Sequence, residues 1–348
     1  MDGAALIAGV DDEAAERFRA ALERLWPPQD RVDPMDGKRR ILGLAVSGGP
    51  DSLALLLLAA TTHGDHIAVA SVDHGLRPEA ASEVALVGEL CAALDVPFTA
   101  LTTRLGPGNL QARAREARYE ALLAWARAED LAGLATAHHA DDQAETLLMR
   151  LARGSGLSGL AGVRAQQMFD PDQSGVPIPL LRPLLDWRKA ELEAIVAACG
   201  VTPARDPSNE QTRFDRVRVR DHLARHDWLE PEALATSAQH LAEAWRAIEW
   251  YAEIDWEEMV AREGEALTIR YNANAPRIIQ IETVRRIVSE LGGLVTRGEA
   301  GRAADRLWRG ENASLGGVLA VPTVEPIAKV GVDMRVWRFT PEPPRRVH

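Results

Sequence analysis

The chain has 348 residues, 46% of them hydrophobic and 26% charged, with a formal net charge of -11. That length exceeds one average domain and the balance is globular, which excludes a disordered or fibrous chain, while the negative charge disfavours nonspecific attachment to polyanions. No apolar run reaches the roughly 18 residues of a membrane span, and the separated cysteines Cys91 and Cys199 make neither a disulfide framework nor a cysteine-based zinc site, so a cytoplasmic protein with small buried thiols is expected.

Residues 12–26, DEAAERFRAALERLW, place Ala15, Phe18, Leu22 and Leu25 at helical spacing behind an acidic first turn, which predicts an amphipathic helix. The stretch 41–58, ILGLAVSGGPDSLALLLL, then reads as a buried strand, a glycine turn and a buried helix. The turn is Ser47-Gly48-Gly49-Pro50-Asp51-Ser52. It leaves free backbone N–H groups at a helix N-terminus, where donors and dipole together favour an anion. Pro50 suits the first helical turn, and Ser47, Asp51 and Ser52 add oxygens suited to a metal-bridged polyphosphate. No lysine follows the turn, so G-x-x-x-x-G-K-[ST] is not matched, and G-x-G-x-x-G is not matched either.

A second buried strand, 67–72, ends in Asp73-His74-Gly75-Leu76-Arg77-Pro78. Polar residues at the carboxyl end of a central strand lie where open parallel sheets bind ligands, which makes Asp73 and His74 site candidates; a charged turn before the helix of 79–94 is the competing reading. A strand at 96–101 and the loop Gly106-Pro107-Gly108 follow. The helix that begins after Asn109 is expected to bury Leu110, Ala114, Ala117, Ala121 and Ala124, leaving Arg113, Arg115 and Arg118 on other faces, paired with Glu116 and Glu120.

The fourth strand, 131–137, runs into His138-His139-Ala140-Asp141-Asp142-Gln143-Ala144-Glu145, again at a strand-to-helix junction. Within a helix Asp142 and Glu145 share a face. Two carboxylates near a pyrophosphate-binding turn can hold magnesium, bind an ammonium group or take a proton from an amine. Stabilisation of the helix dipole accounts for Asp141 and Asp142 but not for the histidines, which are adjacent rather than four apart and so disfavour a zinc pair.

Beyond the glycines at 156, 159 and 162, short strands are expected up to Leu185 and a helix over 187–199. Arg213, Arg216, Arg218, Arg220 and Arg225 are interleaved with Asp206, Glu210, Asp215, Asp221 and Asp227, so bulk electrostatic attraction is expected to be weak there, with directional contacts by particular arginines left open. A long helix over 231–261 carries Trp245, Trp250, Tyr251 and Trp256, read as core aromatics ahead of a base-stacking platform. A smaller α/β unit completes the chain, with a loose tail after Phe339.

SGGPDS at 47–52, VDHGLRPEA at 72–80, QARAREARY at 111–119, TAHHADDQAETLLMRLARGSGLSGL at 136–160, RPLL at 182–185 and DPSN at 206–209 occur in one order. Over residues 41–225 this order resembles the bacterial tRNA(Ile)-lysidine synthase family of N-type (PP-loop) ATP pyrophosphatases. The resemblance implies a Rossmann-like parallel-sheet catalytic domain over residues 1–225, then a helical connector and a small C-terminal domain over 226–348 that contacts tRNA. It implies ATP-dependent ligation of free L-lysine to C2 of the cytidine at the first anticodon position of tRNA(Ile) with a CAU anticodon, through an adenylated intermediate. Ser47, Gly48, Gly49, Pro50 and Ser52 would hold the ATP phosphates, with Asp51 near Mg2+ and Asp73 and His74 beside the nucleotide. Arg118 would position a phosphate, His138 would lie near the adenylate, and Asp142 and Glu145 would bind or deprotonate lysine. A homodimer is compatible with the resemblance. Val217 departs from it, standing where the family carries asparagine. Two other classes compete: another adenylating enzyme, such as a tRNA thiolase or an amide-forming synthetase, and a silent nucleotide- or tRNA-binding module. A thiolase of this type needs a reactive cysteine or cluster ligands, a pattern that Cys91 and Cys199 do not form.

Overall fold

The computed structural model describes residues 2–33, 37–73, 79–103, 110–169, 177–204, 215–226, 228–264, 267–327 and 332–342. His74, Arg77, Asn109, the DPSN segment and Phe214 lie outside the described residues. The chain divides into two compact units, Met1–Ala242 and Glu243–His348.

The first unit is built on a six-stranded sheet of order β3-β2-β1-β4-β6-β5. Its strands are β1 (Leu42–Ala45), β2 (Ile67–Asp73), β3 (Phe98–Thr102), β4 (Gly133–Ala135), β5 (Gln166–Phe169) and β6 (Ile178–Leu181). All neighbouring pairs are parallel except the edge pair β5 and β6, which is antiparallel. Strands covered on both faces need apolar side chains throughout, which is why Leu42, Leu44, Ile67 and Val69 are all buried. The helices α3 (Pro50–His63), α4 (Glu79–Ala93) and α5 (Leu110–Ala128) supply the crossovers between β1, β2, β3 and β4. They follow α1 (Gly3–Ile7) and α2 (Asp12–Leu25), the latter burying Ala15, Phe18 and Leu22 as its spacing predicts.

In α3 the leucines at 53 and 55 to 58 are all fully buried, so this helix is apolar all round and has no solvent face. Burial of each such side chain contributes about 1.5–3 kcal/mol. Gly43 lets α5 and β4 close on β1: a Cβ there would lie 2.7 Å from the Trp125 ring and 2.9 Å from Leu134. The packed face of α5 differs from the alanine stripe expected from spacing. Tyr119, Leu122, Leu123, Trp125 and Ala126 are buried while Ala124 is exposed. Large side chains have far more apolar area to remove from water than alanines, and they set the rotation of the helix. That rotation leaves Arg118 half-buried.

Chain order and strand order together locate the site. From β1 the chain moves outward through β2 to β3, then returns to place β4 on the other side of β1. The β1/β4 boundary is therefore the topological switch point, where the loops leaving adjacent parallel strands diverge and open a crevice at the carboxyl edge. The turn at 47–52 leaves β1 there, and the segment opening α6 (Ala140–Ala152) leaves β4 there. A short helix α7 (Leu157–Leu160), α8 (Lys189–Ala198) and α9 (Asp215–Arg225) complete the helices before α10 (Pro231–Met259), which runs from the first unit into the second.

The second unit carries a five-stranded antiparallel sheet of order β7-β8-β11-β10-β9, with β7 (Val260–Glu263), β8 (Thr268–Asn272), β9 (Ala313–Leu315), β10 (Val318–Ile327) and β11 (Val332–Pro341). Helices α11 (Arg277–Glu290) and α12 (Arg297–Trp308) bury Val284, Ile287, Val288 and Leu307 in one core with Tyr271, Trp337 and Phe339. Of the aromatics on α10, Trp245 is buried whereas Trp250 and Tyr251 are exposed. Only part of that row is core. No described helix is long and apolar enough to cross a membrane.

Candidate active site

The turn after β1 has a left-handed residue at Gly48, φ +83°, which an L side chain rarely adopts. A Cβ there would also meet the Glu83 carbonyl oxygen at 3.3 Å. Gly49 is the N-cap of α3 and Pro50 its first residue; no side chain caps the helix. The first-turn N–H groups are thus left for a ligand. Ser52 fixes the turn from within: its hydroxyl accepts the Ser47 N–H at 3.0 Å, donates to the Gly49 carbonyl at 3.0 Å and lies 3.2 Å from the Ser47 hydroxyl. Asp51 stands at the first turn with Oδ1 buried and without a hydrogen-bond partner. Asp73 ends β2, the strand beside β1, at the same sheet edge.

Across the switch point, His139 is the N-cap of α6. Its Nδ1 accepts the Asp142 N–H at 3.4 Å while the Asp142 carboxylate accepts the His139 N–H at 3.2 Å, a reciprocal capping box. The other ring nitrogen, Nε2, lies 3.6 Å from Asp51 Oδ2 and 3.6 Å from Asp142 Oδ2. Burial acts to lower the His139 pKa, but contact with Asp51 and the charges of Asp142, Asp51 and Asp141 outweigh it, and the ring is held above its ordinary value. His139 thereby joins the turn after β1 to the helix after β4. Asp141 reaches this junction too, with its Oδ2 3.7 Å from His139 Nδ1, but its hydrogen bonds go to α8. Its Oδ2 accepts the Lys189 N–H at 2.8 Å and both its oxygens lie 3.3 Å from Arg188 nitrogens, so it tethers the start of α8. Burial opposes ionisation of Asp141, yet those donors hold its carboxyl below the usual range.

Glu145 is only 1% exposed. Its Oε1 accepts from Arg220 Nε of α9 at 2.8 Å, Arg216 Nε stands 3.9 Å from Oε2, and Oε2 has no hydrogen-bond partner. Arg220 feels Glu145 first, then Asp142 and Asp51, and its pKa is raised. Arg220 is thus the cation that Glu145 holds directly, with the charges of Asp142 and Asp51 adding to its stabilisation.

His138 points elsewhere. Its Nδ1 lies 2.9 Å from the Thr136 hydroxyl. Burial, followed by the charges of Arg182, Arg115, Arg118 and Arg216, lowers its pKa to about 3, so it is neutral at physiological pH. Arg118 lies 5.5 Å from the Tyr119 ring, and burial lowers its pKa from the ordinary value. Of the residues singled out from sequence, the fold links Asp51 and Asp142 through His139 and sets Glu145 against Arg220 and Arg216, while His138 lies among the charges of Arg182, Arg115, Arg118 and Arg216. Sequence reading placed His139, Arg182 and Arg220 in their motifs but gave none of them a role of its own. RPLL at 182–185 carried a signal for Arg182, and the arginine row at 213–225 carried one for Arg220.

Residues 15–227 match the family model of the PP-loop domain. The chain is 44% identical to the tRNA(Ile)-lysidine synthase of Novosphingobium aromaticivorans over 338 residues, covering 96% of this chain and 95% of that one. It is 39% identical to the tRNA(Ile)-lysidine synthase of Zymomonas mobilis over 322 residues, covering 90% and 91%. Among solved structures, the U34-tRNA thiolase NcsA from Methanococcus maripaludis, with its [4Fe-4S] cluster, superposes with a TM-score of 0.52 over 66% of this chain and 80% of that one. At 15% identity that is a likeness of fold alone. With an ordered PP-loop turn at the switch point of its parallel sheet and relatives that match nearly end to end, the chain belongs to the tRNA(Ile)-lysidine synthase family.

Proposed function

We propose that the protein makes lysidine. ATP adenylates the C2 oxygen of the cytidine at the first anticodon position of tRNA(Ile) bearing CAU: a bond forms from that oxygen to the α-phosphorus and pyrophosphate leaves. The amine of free lysine then attacks C2, the C–O bond breaks, and AMP leaves with the oxygen while the amine gives up a proton. The observation that supports this division most directly is that His139 joins Asp51, in a turn built for phosphates, to Asp142 on the helix that also carries buried Glu145.

In this reading the α3 N–H groups and the Ser47 hydroxyl bind the phosphates. Asp51 fits a magnesium ion, because a buried carboxylate oxygen without a partner has an acceptor to offer. The described residues contain no cluster of three or more His, Cys, Asp or Glu able to hold a metal, so the phosphates would complete the coordination. Magnesium would neutralise phosphate charge as the α-phosphorus is attacked. His139 holds Asp51 and Asp142 in register. Asp142 and the free Oε2 of Glu145 accept from the lysine ammonium, and one of them removes the proton that makes the amine a nucleophile. Neutral His138 provides a hydrogen bond near the adenylate rather than a charge. Thiol chemistry is not supported: burial pushes the Cys91 thiol up to about 12 and raises that of Cys199. The test is incubation of the protein with ATP, labelled lysine and either CAU-bearing tRNA. Label should enter the isoleucine tRNA alone, and absence of label from it would reject the reading.

A further inference from the structure

The corner Trp187-Arg188-Lys189, which opens α8, closes on the first turn of α6. The Ala140 N–H donates to the Trp187 carbonyl at 2.8 Å, and the Asp141 carboxylate accepts from the Lys189 N–H at 2.8 Å and, with its two oxygens, from Arg188 Nε and Nη2 at 3.3 Å. The remaining arm of the same guanidinium goes to another helix: Arg188 Nη1 donates to Glu232 Oε1, in the first turn of α10, at 2.7 Å. Glu232 feels Arg188 first, and its carboxyl is held below the ordinary range. The corner itself is fixed from the other side. Glu191 accepts the Arg188 N–H at 2.7 Å, and Arg17 of α2 donates to Glu191 at 2.7 Å while its guanidinium lies 4.1 Å from the centre of the Trp187 ring.

A second contact joins the same two helices. Gln143 of α6 donates to the Val163 carbonyl at 2.6 Å and accepts the Val163 N–H at 2.7 Å, and Arg150 of α6 donates to the carbonyls of Gly159 and Gly162 at 2.5 and 2.9 Å. The loop so held has Gly162 at φ +66°, where a Cβ would collide with the Gln143 side-chain oxygen and stand 3.3 Å from the Cβ of Ala238 on α10. Ala235 and Ala238 are buried, and they continue from Glu232 at steps of three, which keeps successive members on one side of α10. The start of α10 therefore meets what α6 holds at two places, the Arg188 corner and this loop. An exposed ion pair alone contributes little, but one planar guanidinium gripping carboxylates on two helices fixes their geometry in a way that a point charge does not. Since α6 is capped by His139 and carries Asp142 and Glu145, a displacement of its first turn moves all three.

We propose that Arg188 is a positioning residue for the amine step: it ties the first turn of α10 to the first turn of α6, so that the placement of Asp142 and Glu145 depends on where α10 lies. It acts through Asp141 rather than on substrate. The two adjacent acids thus differ in role, Asp142 serving the site and Asp141 carrying the position of α10 to it. The proposal rests on the lysidine reading for the step affected, but not for the coupling between the helices.

The experiment compares Glu232→Ala, Arg188→Ala, Arg188→Lys and the double variant Glu232→Ala/Arg188→Ala with the unaltered full chain. Amide hydrogen exchange is read over residues 139–146, which report on the first turns of α6. Glu232→Ala is the sharpest variant, because it leaves the Arg188–Asp141 contacts in place and alters only the α10 end. Coupling predicts that it speeds exchange over 139–146 roughly three- to tenfold, that Arg188→Ala speeds it at least as much, and that the double variant adds nothing beyond Arg188→Ala. In the lysidine assay the KM for lysine rises by a similar factor in the same variants while the KM for ATP stays within about twofold. Arg188→Lys keeps the charge but not the fork, and recovers part of each change. A tether that only stabilises the fold gives a different pattern: faster exchange confined to the start of α10 in Glu232→Ala, additive effects in the double variant, and KM values for lysine and ATP that move together. Any of these overturns the proposal, as does faster exchange over 139–146 with an unchanged KM for lysine. Should Arg188→Ala fail to fold by circular dichroism, Glu232→Ala and Arg188→Lys carry the test. Coupled exchange in a chain that forms no lysidine would reject the reaction and leave the link between the helices standing.

Discussion

Glu145→Gln separates binding of lysine from the holding of α9. Glutamine keeps the length of the side chain and an oxygen to accept from Arg220 at the present 2.8 Å, but removes the charge and turns one terminal oxygen into a donor. The charge-assisted bond to Arg220 would be about 1.5–3 kcal/mol in a closed environment. Here the Arg220 and Arg216 side chains are 45% and 47% exposed, so water takes up the released guanidinium groups. The stability cost is accordingly about 1 kcal/mol or less, a fall of roughly 2–4 °C in Tm for a unit of this size. The lysine ammonium has no such replacement, because Oε2 is buried and is the acceptor it would use. Loss of that bond, about 1.5–3 kcal/mol, raises the KM for lysine roughly ten- to a hundredfold. If Glu145 also takes the proton from the amine, kcat falls by about a further hundredfold. The assay is a lysine titration of lysidine formation beside a trap for adenylated tRNA. Unchanged lysine dependence with collapsed adenylate formation would place Glu145 on the ATP side and refute the reasoning.

Asp51→Ala should abolish ATP-pyrophosphate exchange with little change in melting temperature, since it removes a first-turn carboxylate rather than a packed group; exchange at the normal rate in the folded variant would sink the assignment. Turnover should release AMP and pyrophosphate in equal amounts, and stoichiometric ADP with phosphate would rule out attack at the α-phosphorus. A pH effect is expected far from the site, at His63. Burial, then the Arg31 charge, lowers its pKa to about 4, whereas in the unfolded chain it stays near 6.5. The unfolded state thus binds more protons between those values, so stability is complete above about pH 6.5 and falls as pH drops toward 4. Between pH 7.5 and 5 the loss is about 2 kcal/mol, or roughly 4–8 °C in Tm. His63→Gln should flatten that slope in thermal melts, and an identical slope would show that the effect arises elsewhere.

What the sequence disclosed and what it hid follow from how far each signal reaches along the chain. The turn at 47–52 was legible because its chemistry is local: glycines that permit the bend, a proline that suits a helix start and an apolar run on either side. The parallel sheet was legible for the same reason, as buried strands alternate with helices. The packed face of α5 was not, because spacing alone offers alanines or large side chains equally, and the sheet it meets selects the larger area. In the second unit, an α/β pattern was legible but not the antiparallel order of its sheet, which is set by pairings such as Val336 with Asn272, 64 residues apart by their numbers.

The histidines show the limit most sharply. His138 and His139 are neighbours in sequence, and a shift of one residue in the helix start exchanges their surroundings. In the fold, His139 is the cap and touches Asp51, whereas His138 turns to Thr136 and becomes neutral among arginines. That difference depends on β4 pairing with β1, a contact between segments some 90 residues apart, which no local pattern encodes. The carboxylates repeat the point. Asp141 and Asp142 look alike as first-turn acids, yet α8 claims one and the crevice claims the other. An active site at a switch point is therefore more legible in its residue types than in its assignments: the turn chemistry announces that phosphates and acids meet, while strand order decides which acid, and which histidine, meets them.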